Sequence, residues 1–354
     1  MKIDIDFSMA VSFKKFILNK EYVTKIECEQ FVEDLALEES FKKMIMFYKN
    51  DFSKAQYVDI VFKALNLESF KTDNKALEIM YNNFKRLRGM KDLILEKIKL
   101  IEQYDFLKLK YLLEPTLPKD TKLEINIHFV FDGINGGSIV DKNTMLINTM
   151  FWPSKEENIE LIEGVLLHEY HHLGLKYWFD KDPVRKSISK KKNSISLALR
   201  LSDAIMSEGS ATYFFNEGQS IYPLILESHG TIFAQQYKES IGKRKSNINN
   251  IMKEFEKDLE KLINNKEDYQ LMNVSVNNYS FDYEGNEPKD KAIGCYMCEV
   301  IENVYGREEL VNCFKSCDRF IVIYNKAARI IDKYVFSKDI ITRWKRCFED
   351  LHIS

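Results

Sequence analysis

The sequence is poor in the residues that interrupt regular structure. Its 354 residues include 13 glycines and 6 prolines. This scarcity argues against a disordered chain or a β-sandwich and favours a helix-rich protein. A run of about 18 apolar residues is also missing, so we expect no membrane-spanning helix and no membrane partner.

The chain also lacks a large excess of positive or negative charge. The chain carries 52 basic and 54 acidic residues, which gives a net charge of −2. No overall field therefore attracts nucleic acid or anionic lipid, and a nucleic-acid partner is not expected. Nothing in the composition indicates an oligomeric state.

Cysteine is scarce, and the first residues do not resemble a secretory leader. Residues 1–7 carry acidic side chains where a signal peptide needs a basic and then an apolar segment. The six cysteines are therefore expected to be reduced thiols in a cytoplasmic protein. Four of them are spaced nearly as the ligands of a zinc site are. Apolar residues recur at helical period around the first two, which favours thiols that are packed in the core instead. Whether these four cysteines bind a second metal ion is left open; they are Cys295, Cys298, Cys313 and Cys317.

The hydrophobic pattern divides the chain into three parts. Residues 1–118 form a predicted N-terminal helical subdomain, residues 119–240 a mixed core and residues 241–354 a C-terminal helical subdomain. The predicted fold class is α+β, predominantly helical. Helical spacing is clearest around residues 26–48, 53–67, 74–113, 196–217, 250–268 and 291–350, whereas 272–290 are predicted to be loop-like.

The core segment opens with strands and continues into a helix. Residues 122–131 alternate polar and apolar side chains, and residues 144–151 form a second predicted strand. The turn cluster 132–137 lacks the Lys-Ser/Thr ending of a phosphate loop and is interpreted as a hairpin connection. The helix that follows is predicted to begin with a capping box of Ser154 and Glu157, and to end near Gly174.

That helix contains the most informative segment of the chain. Residues 168–172 read His-Glu-Tyr-His-His, an HExxH motif in a chain with only 6 histidines. The four-residue spacing places the imidazoles of His168 and His172 on one helix face, where they can bind one metal ion. The alternative is a pair of core histidines, which the spacing and the adjacent Glu169 disfavour.

A hydrolytic zinc site needs a third protein ligand and an open position for water. No third histidine follows His172 at the spacing of six residues that would supply one. A later helical segment instead places Glu208 on an apolar stripe, where an ionised acid is tolerated only when it is paired or binds a cation. Gly209 beside it would allow another backbone or the metal to approach closely. A structural salt bridge at Glu208 is the alternative, and Asp203 is the weaker candidate ligand.

The HExxH motif and the later segment Ser-Glu-Gly-Ser-Ala at residues 207–211 resemble the gluzincin branch of zinc metallopeptidases. More narrowly, the chain is similar to families of bacterial zinc peptidases with a downstream Glu-Gly-x-Ala helix. The resemblance covers residues 120–216 and implies a zincin-like catalytic core with a short β-sheet. It also implies that Zn²⁺ is held by His168, His172 and Glu208, with Glu169 as the general base.

The predicted activity is hydrolysis of a peptide or protein substrate by water that the metal activates. Glu169 can take the proton of that water, and a further donor should stabilise the oxyanion. The strand before the motif is expected to pair with an extended peptide at a sheet edge. Candidates for the further donor, or for a supporting role beside the metal, are His171, His229, Tyr283 and Tyr296.

Two other functions stay open. A catalytically silent zincin-like binding or scaffold protein would use the metal to hold two helices together, with a fourth protein ligand in place of water. An amide hydrolase related to peptide deformylase would need a cysteine ligand upstream of the motif. Only Cys28 lies upstream, far from the motif in sequence.

Overall fold

A computed structural model describes residues 2–18, 22–134, 136–152, 159–216, 231–264, 268–280 and 287–349. Helices predominate in these residues, and they also contain one four-stranded sheet. The predicted α+β class, predominantly helical, is confirmed. No helix in these ranges has both the length and the apolar character that are needed to cross a bilayer.

The chain forms two compact units. The first comprises residues 1–109 and 123–169, and the second comprises 110–122 and 170–354. The predicted division at residues 118 and 240 stays a prediction.

The first unit begins with a strand and a series of helices. The strand β1 (Lys2–Asp6) alternates polar and apolar residues, a signal that the sequence analysis did not use. The predicted helical segments 26–48 and 74–113 are each divided into shorter helices. In chain order the helices are α1 (Ser8–Leu18), α2 (Lys25–Leu35), α3 (Glu39–Phe47), α4 (Lys54–Leu65), α5 (Lys75–Gly89), α6 (Lys91–Gln103) and α7 (Leu107–Leu113).

Short polar residues fix where several of these helices start. Thr24 accepts a hydrogen bond from the backbone N–H of Glu27 and forms a capping box ahead of α2. Ser53 does the same with Gln56 ahead of α4. Asn74 caps α5 in the same position. Such caps satisfy backbone donors that have no partner within the helix, and they stabilise the starts of these three helices.

The remaining strands are β2 (Glu124–Val130), β3 (Gly137–Ile139) and β4 (Thr144–Asn148), and the sheet order is β1-β2-β4-β3. The strands predicted at 122–131 and 144–151 are confirmed. The predicted hairpin between them is wrong, because β4 pairs parallel with β2, whereas a hairpin joins antiparallel strands. The residues between them include β3, which pairs antiparallel with β4.

The motif helix α8 (Ile159–Phe179) continues without a break through the boundary between the two units. Its predicted capping box, Ser154 with Glu157, lies outside the described residues. The predicted end at Gly174 is wrong, because this glycine lies inside the helix. A β-carbon built there would lie 2.3 Å from a methyl carbon of Leu117. Glycine is needed at this point because Leu117 packs directly on the helix backbone.

The early part of α8 is anchored by a buried acid, Glu163, which is 6% exposed. Its carboxylate accepts hydrogen bonds from the Tyr104 hydroxyl at 3.0 Å and from the Lys108 ammonium at 2.7 Å. A charge-assisted bond to a buried acid is stronger than a neutral one. This anchor holds α8 a little more than one turn before His168.

The second unit is built from helices. The sequence predicts residues 272–290 to be loop-like, and this is wrong in part because Asp268 caps a helix whose residues Met272 and Val276 are buried. The predicted helices at 196–217, 250–268 and 291–350 are confirmed, with the last one divided. After α8 the helices are α9 (Pro183–Ser189), α10 (Ser194–Phe215), α11 (Thr231–Ser246), α12 (Ile248–Asn264), α13 (Tyr269–Asn277), α14 (Lys289–Tyr305), α15 (Arg307–Asn312), α16 (Arg319–Ile330) and α17 (Lys338–Glu349).

Candidate metal centre

Helix α8 presents His168 and His172 one turn apart. At 100° per residue the two imidazoles differ by about 40° around the helix, so they point the same way. His168 is 7% exposed, and the side chain of His172 is 14% exposed. Two imidazoles on one helix can bind a zinc ion stably only when a third ligand reaches them from another element.

Helix α10 brings a candidate third ligand, Glu208, to this pair. One ligand atom from each of His168, His172 and Glu208 lies within 4.8 Å of the other two. The distance from His172 Nε2 to Glu208 Oε1 is 3.4 Å, close to the roughly 3.3 Å expected between two ligands of a tetrahedral zinc. Across the described ranges, no other group of at least three His, Cys, Asp or Glu side chains meets this condition. Two imidazoles and one carboxylate form a donor set that fits zinc.

His172 is oriented by the residue that precedes Glu208 on α10. The Nδ1 atom of His172 is 2.7 Å from Ser207 Oγ. With the Nδ1–H donating to Ser207, the lone pair of Nε2 faces Glu208, and this is the tautomer that a metal ligand needs. The sequence analysis assigned no role to Ser207, although it belongs to the segment that carries the resemblance.

Glu169 lies beside the edge of the sheet in the first unit. A β-carbon built on Gly137 of β3 would lie 3.6 Å from Glu169 Cγ. The strand that immediately precedes the motif, β4, lies between β2 and β3, so the prediction that it is a sheet edge is wrong. In the described sheet β3 takes the edge position instead, next to Glu169.

The backbones of α10 and α14 touch at the residue after Glu208. A β-carbon built on Gly209 would lie 2.2 Å from Gly294 Cα, and one built on Gly294 would lie 1.9 Å from the carbonyl oxygen of Ile205. Only glycine fits at either position. The prediction that Gly209 permits close approach of another backbone is confirmed, and this contact fixes Glu208 against α14.

Two residues that the sequence analysis missed lie near Glu208. Lys291, in the first turn of α14, has its Nζ 3.3 Å from Glu208 Oε2. Tyr237 of α11 interacts electrostatically with both Glu208 and Lys291, and burial raises the pKa of its hydroxyl. Neither residue has a local sequence signal, because the chain contains 18 tyrosines and its lysines follow no motif.

Two further acids lie near Lys291, and one of them, Asp290, also interacts with Glu208. Asp290 is fully buried, and burial together with the charge of Glu208 raises its pKa to about 6. Glu287 is 6% exposed; burial raises its pKa, while the charges of Arg244 and Lys291 oppose that shift. The Lys291 ammonium therefore lies among several carboxyl groups.

His171, the remaining histidine of the motif, is completely buried in the second unit. Its Nε2 is 2.8 Å from Ser210 Oγ, and three phenylalanine rings surround the imidazole. These are the surroundings of a packed core histidine. Its other ring nitrogen, Nδ1, lies 3.4 Å from Thr116 Oγ1.

The other candidate donors are not brought to the centre in the described residues. Tyr296 lies two residues after Gly294 and therefore about 200° around α14 from the face that meets α10. Its ring is 6.1 Å from that of Tyr324. His229 and Tyr283 lie outside the described residues.

Two weaker metal-binding candidates have other contacts. The Arg185 guanidinium donates to both carboxylate oxygens of Asp203, with its shortest contacts at 3.0 Å, and burial raises the pKa of Asp203 to about 6. The four cysteines that approached a zinc spacing form no disulfide in the part of the chain that the structure describes. In the described ranges they do not form a metal-binding group.

Comparison with known proteins adds one finding. The family described as "Putative zinc dependent peptidase (DUF5700)" matches residues 13–333 of the 354-residue chain. No curated protein and no solved structure matches the chain. The matched range includes the motif on α8 and the later segment on α10.

Proposed function

We propose that this chain, which belongs to the zinc-dependent peptidase family that matches residues 13–333, hydrolyses peptide bonds at the centre formed by α8 and α10. The observation that carries this proposal is the approach of three ligand atoms, from His168, His172 and Glu208, to within 4.8 Å of one another. This donor set leaves one tetrahedral position for water, as in hydrolytic zinc sites.

The three ligands divide between two helices. His168 and His172 would hold the metal from α8, and Glu208 from α10. Once bound, zinc would polarise the scissile carbonyl and lower the pKa of water to about 7. Ser207 Oγ lies 2.7 Å from His172 Nδ1, and with the Nδ1–H donating to it the Nε2 lone pair would be directed toward the metal.

Glu169 is the proposed general base. It follows a ligand directly, and its carboxylate would take the proton of the attacking water. The same carboxyl group would then deliver that proton to the nitrogen of the leaving amine. A positioned carboxylate acting in this way contributes about 10²–10⁴-fold to the rate.

The edge strand beside Glu169 supports a peptide substrate. An extended chain that adds to β3 would form backbone hydrogen bonds along the edge and pass the Glu169 side chain. Glu169 is close to this strand, because a β-carbon built on Gly137 would be in van der Waals contact with its side chain at 3.6 Å. The proposed substrate class is therefore an extended peptide or an unfolded protein segment.

Tyr237 is the proposed donor to the developing oxyanion. Its hydroxyl interacts electrostatically with Glu208 and Lys291, and burial raises its pKa, which favours the protonated phenol that can donate a hydrogen bond. Donors held in place before the reaction stabilise a tetrahedral oxyanion most effectively.

The test compares Glu169→Gln with Glu160→Gln, an exposed acid at the start of the same helix. Zinc content and hydrolysis of a peptide library are measured for both variants and for the unaltered chain. We expect all three to bind one zinc, and only Glu169→Gln to lose activity, by about 10²–10⁴-fold. Bound zinc with no cleavage of any peptide by the unaltered chain would contradict the proposal and would favour a scaffold with a structural metal.

A further inference from the structure

The two oxygens of Glu208 have different neighbours. Oε1 faces His172 Nε2 at 3.4 Å, on the side of the proposed metal ligands. Oε2 faces Lys291 Nζ at 3.3 Å, on the side of α14. The carboxylate is thus held between an imidazole and an ammonium group.

Lys291 is held in this place by the helix crossing. It lies three residues before Gly294, so the two residues share one face of α14. Gly294 touches Gly209, which follows Glu208 on α10. The Lys291 side chain is 24% exposed and that of Glu208 is 31% exposed, so the pair is partly shielded from water. A single backbone contact therefore sets the position of both members of the ion pair.

We propose that Lys291 is a positioning residue that keeps Glu208 a one-oxygen ligand. A carboxylate can bind a metal through one oxygen or through both. By binding Oε2, Lys291 leaves Oε1 as the single ligand atom and preserves the coordination position that water needs. This inference rests on the proposed function, because it requires that the three ligands hold zinc.

Charge supports the same role. Glu208 lies near the buried carboxyl group of Asp290. Without a cation on the Oε2 side, repulsion from this acid would favour rotation of the Glu208 carboxylate toward the metal, with both oxygens engaged. The Lys291 ammonium opposes that rotation.

The experiment uses the full chain loaded with Co²⁺, whose visible absorption is intense with four ligands and weak with five. Lys291→Met removes the cation but keeps most of the stem, and Lys291→Arg restores a cation. Lys289→Met is the matched control, because Lys289 lies on the same turn of α14 and pairs with exposed Glu254 at 3.0 Å. Zinc affinity is measured for each protein by competition with a chelator.

We expect the unaltered chain, Lys289→Met and Lys291→Arg to give the intense four-coordinate spectrum. Lys291→Met is expected to lose the intense spectrum and to give the weaker five-coordinate one. An unchanged spectrum in Lys291→Met would overturn the role of Lys291 alone, as would a five-coordinate spectrum in Lys291→Arg. Failure of the unaltered chain to bind either metal would overturn the proposed function and this inference together.

Discussion

Gly209 and Gly294 are in direct backbone contact, with only 2.2 Å between a β-carbon built on Gly209 and the Cα of Gly294. This contact lies one residue from Glu208 and three residues from Lys291. The position of the carboxylate ligand therefore depends on how closely α10 and α14 approach each other. Small changes at this crossing should alter the metal centre even though neither glycine is itself a proposed metal ligand.

Substitution of Gly294 by alanine should destabilise the fold and weaken the metal centre. The added methyl group would overlap the carbonyl of Ile205, so the helices must separate. We expect a loss of about 1–3 kcal/mol in the free energy of unfolding, measured with urea, and a lower zinc affinity. Gly242→Ala is the control, since no atom lies within 4 Å of a β-carbon built there. Equal stability and zinc affinity in both variants would contradict this account.

Ser207 and Ser210 lie one turn apart on α10 but contact different histidines. Ser207→Ala removes the bond to the ligand His172, so zinc affinity should fall about 10–100-fold. Ser210→Ala removes the bond to the buried His171, so it should lower thermal stability and leave zinc affinity unchanged. Titration calorimetry with zinc checks both expectations. Equal zinc affinities in the two variants would refute the orienting role of Ser207.

Tyr237 and Tyr296 differ in their relation to Glu208. Tyr237→Phe removes the hydroxyl near Glu208 and Lys291, and should lower kcat about 10–100-fold with zinc retained. Tyr296→Phe alters a ring that packs near Tyr324, so kcat should stay within about twofold. Steady-state kinetics with a peptide substrate separate the two. A larger loss of kcat in Tyr296→Phe would contradict the assignment.

Acid should weaken the link between the first two strands of the sheet. His128 Nδ1 is 3.0 Å from Asp6 Oδ2, and this bond holds the pKa of Asp6 well below its usual range. Because the pKa of Asp6 is lower in the folded chain than its usual value of 3.8, the ionised carboxylate stabilises the fold at pH values above 3.8. This stabilisation is lost as the pH falls from 3.8 toward the lowered pKa. Asp6→Asn should therefore cost about 1 kcal/mol at pH 7, because a partly solvated pair is screened. The difference in the free energy of unfolding between Asp6→Asn and the unaltered chain should become smaller below about pH 4.

Urea unfolding of both proteins between pH 7 and pH 2 measures that difference. The control is Asp4→Asn on the same strand, where the carboxylate is exposed and pairs with exposed Lys2. For Asp4→Asn, the difference in the free energy of unfolding from the unaltered chain should stay the same as the pH falls. A stability difference for Asp6→Asn that stays constant with pH would contradict the role of the His128 bond.

Much of the site could be predicted because its chemistry is local in sequence. The four-residue spacing of His168 and His172 predicts that they share one helix face. Glu208 could be predicted because it is an acidic residue on an apolar stripe. Lys291 and Tyr237 could not be found this way. They reach Glu208 through the packing of α14 and α11, and neither the spacing nor the residue type distinguishes them from other lysines and tyrosines.

The errors in the predicted fold also arise where tertiary contacts, rather than local sequence patterns, decide the structure. Gly174 has the residue type of a helix end, yet it lies within α8 because Leu117 packs on the backbone there. The turn at residues 132–137 indicates a hairpin, but pairing of β2 with β4 is parallel and depends on contacts distant in sequence. Local patterns thus predicted most elements, while strand order and helix continuity depended on tertiary contacts.

The most direct test of the metal centre is an anomalous difference map at the zinc edge, from crystals of the zinc-loaded chain. The account predicts a zinc peak bonded to one nitrogen each of His168 and His172 and to one oxygen of Glu208, with the fourth position open to water. A zinc ion bonded without Glu208, or one closed by a fourth protein ligand, would contradict it.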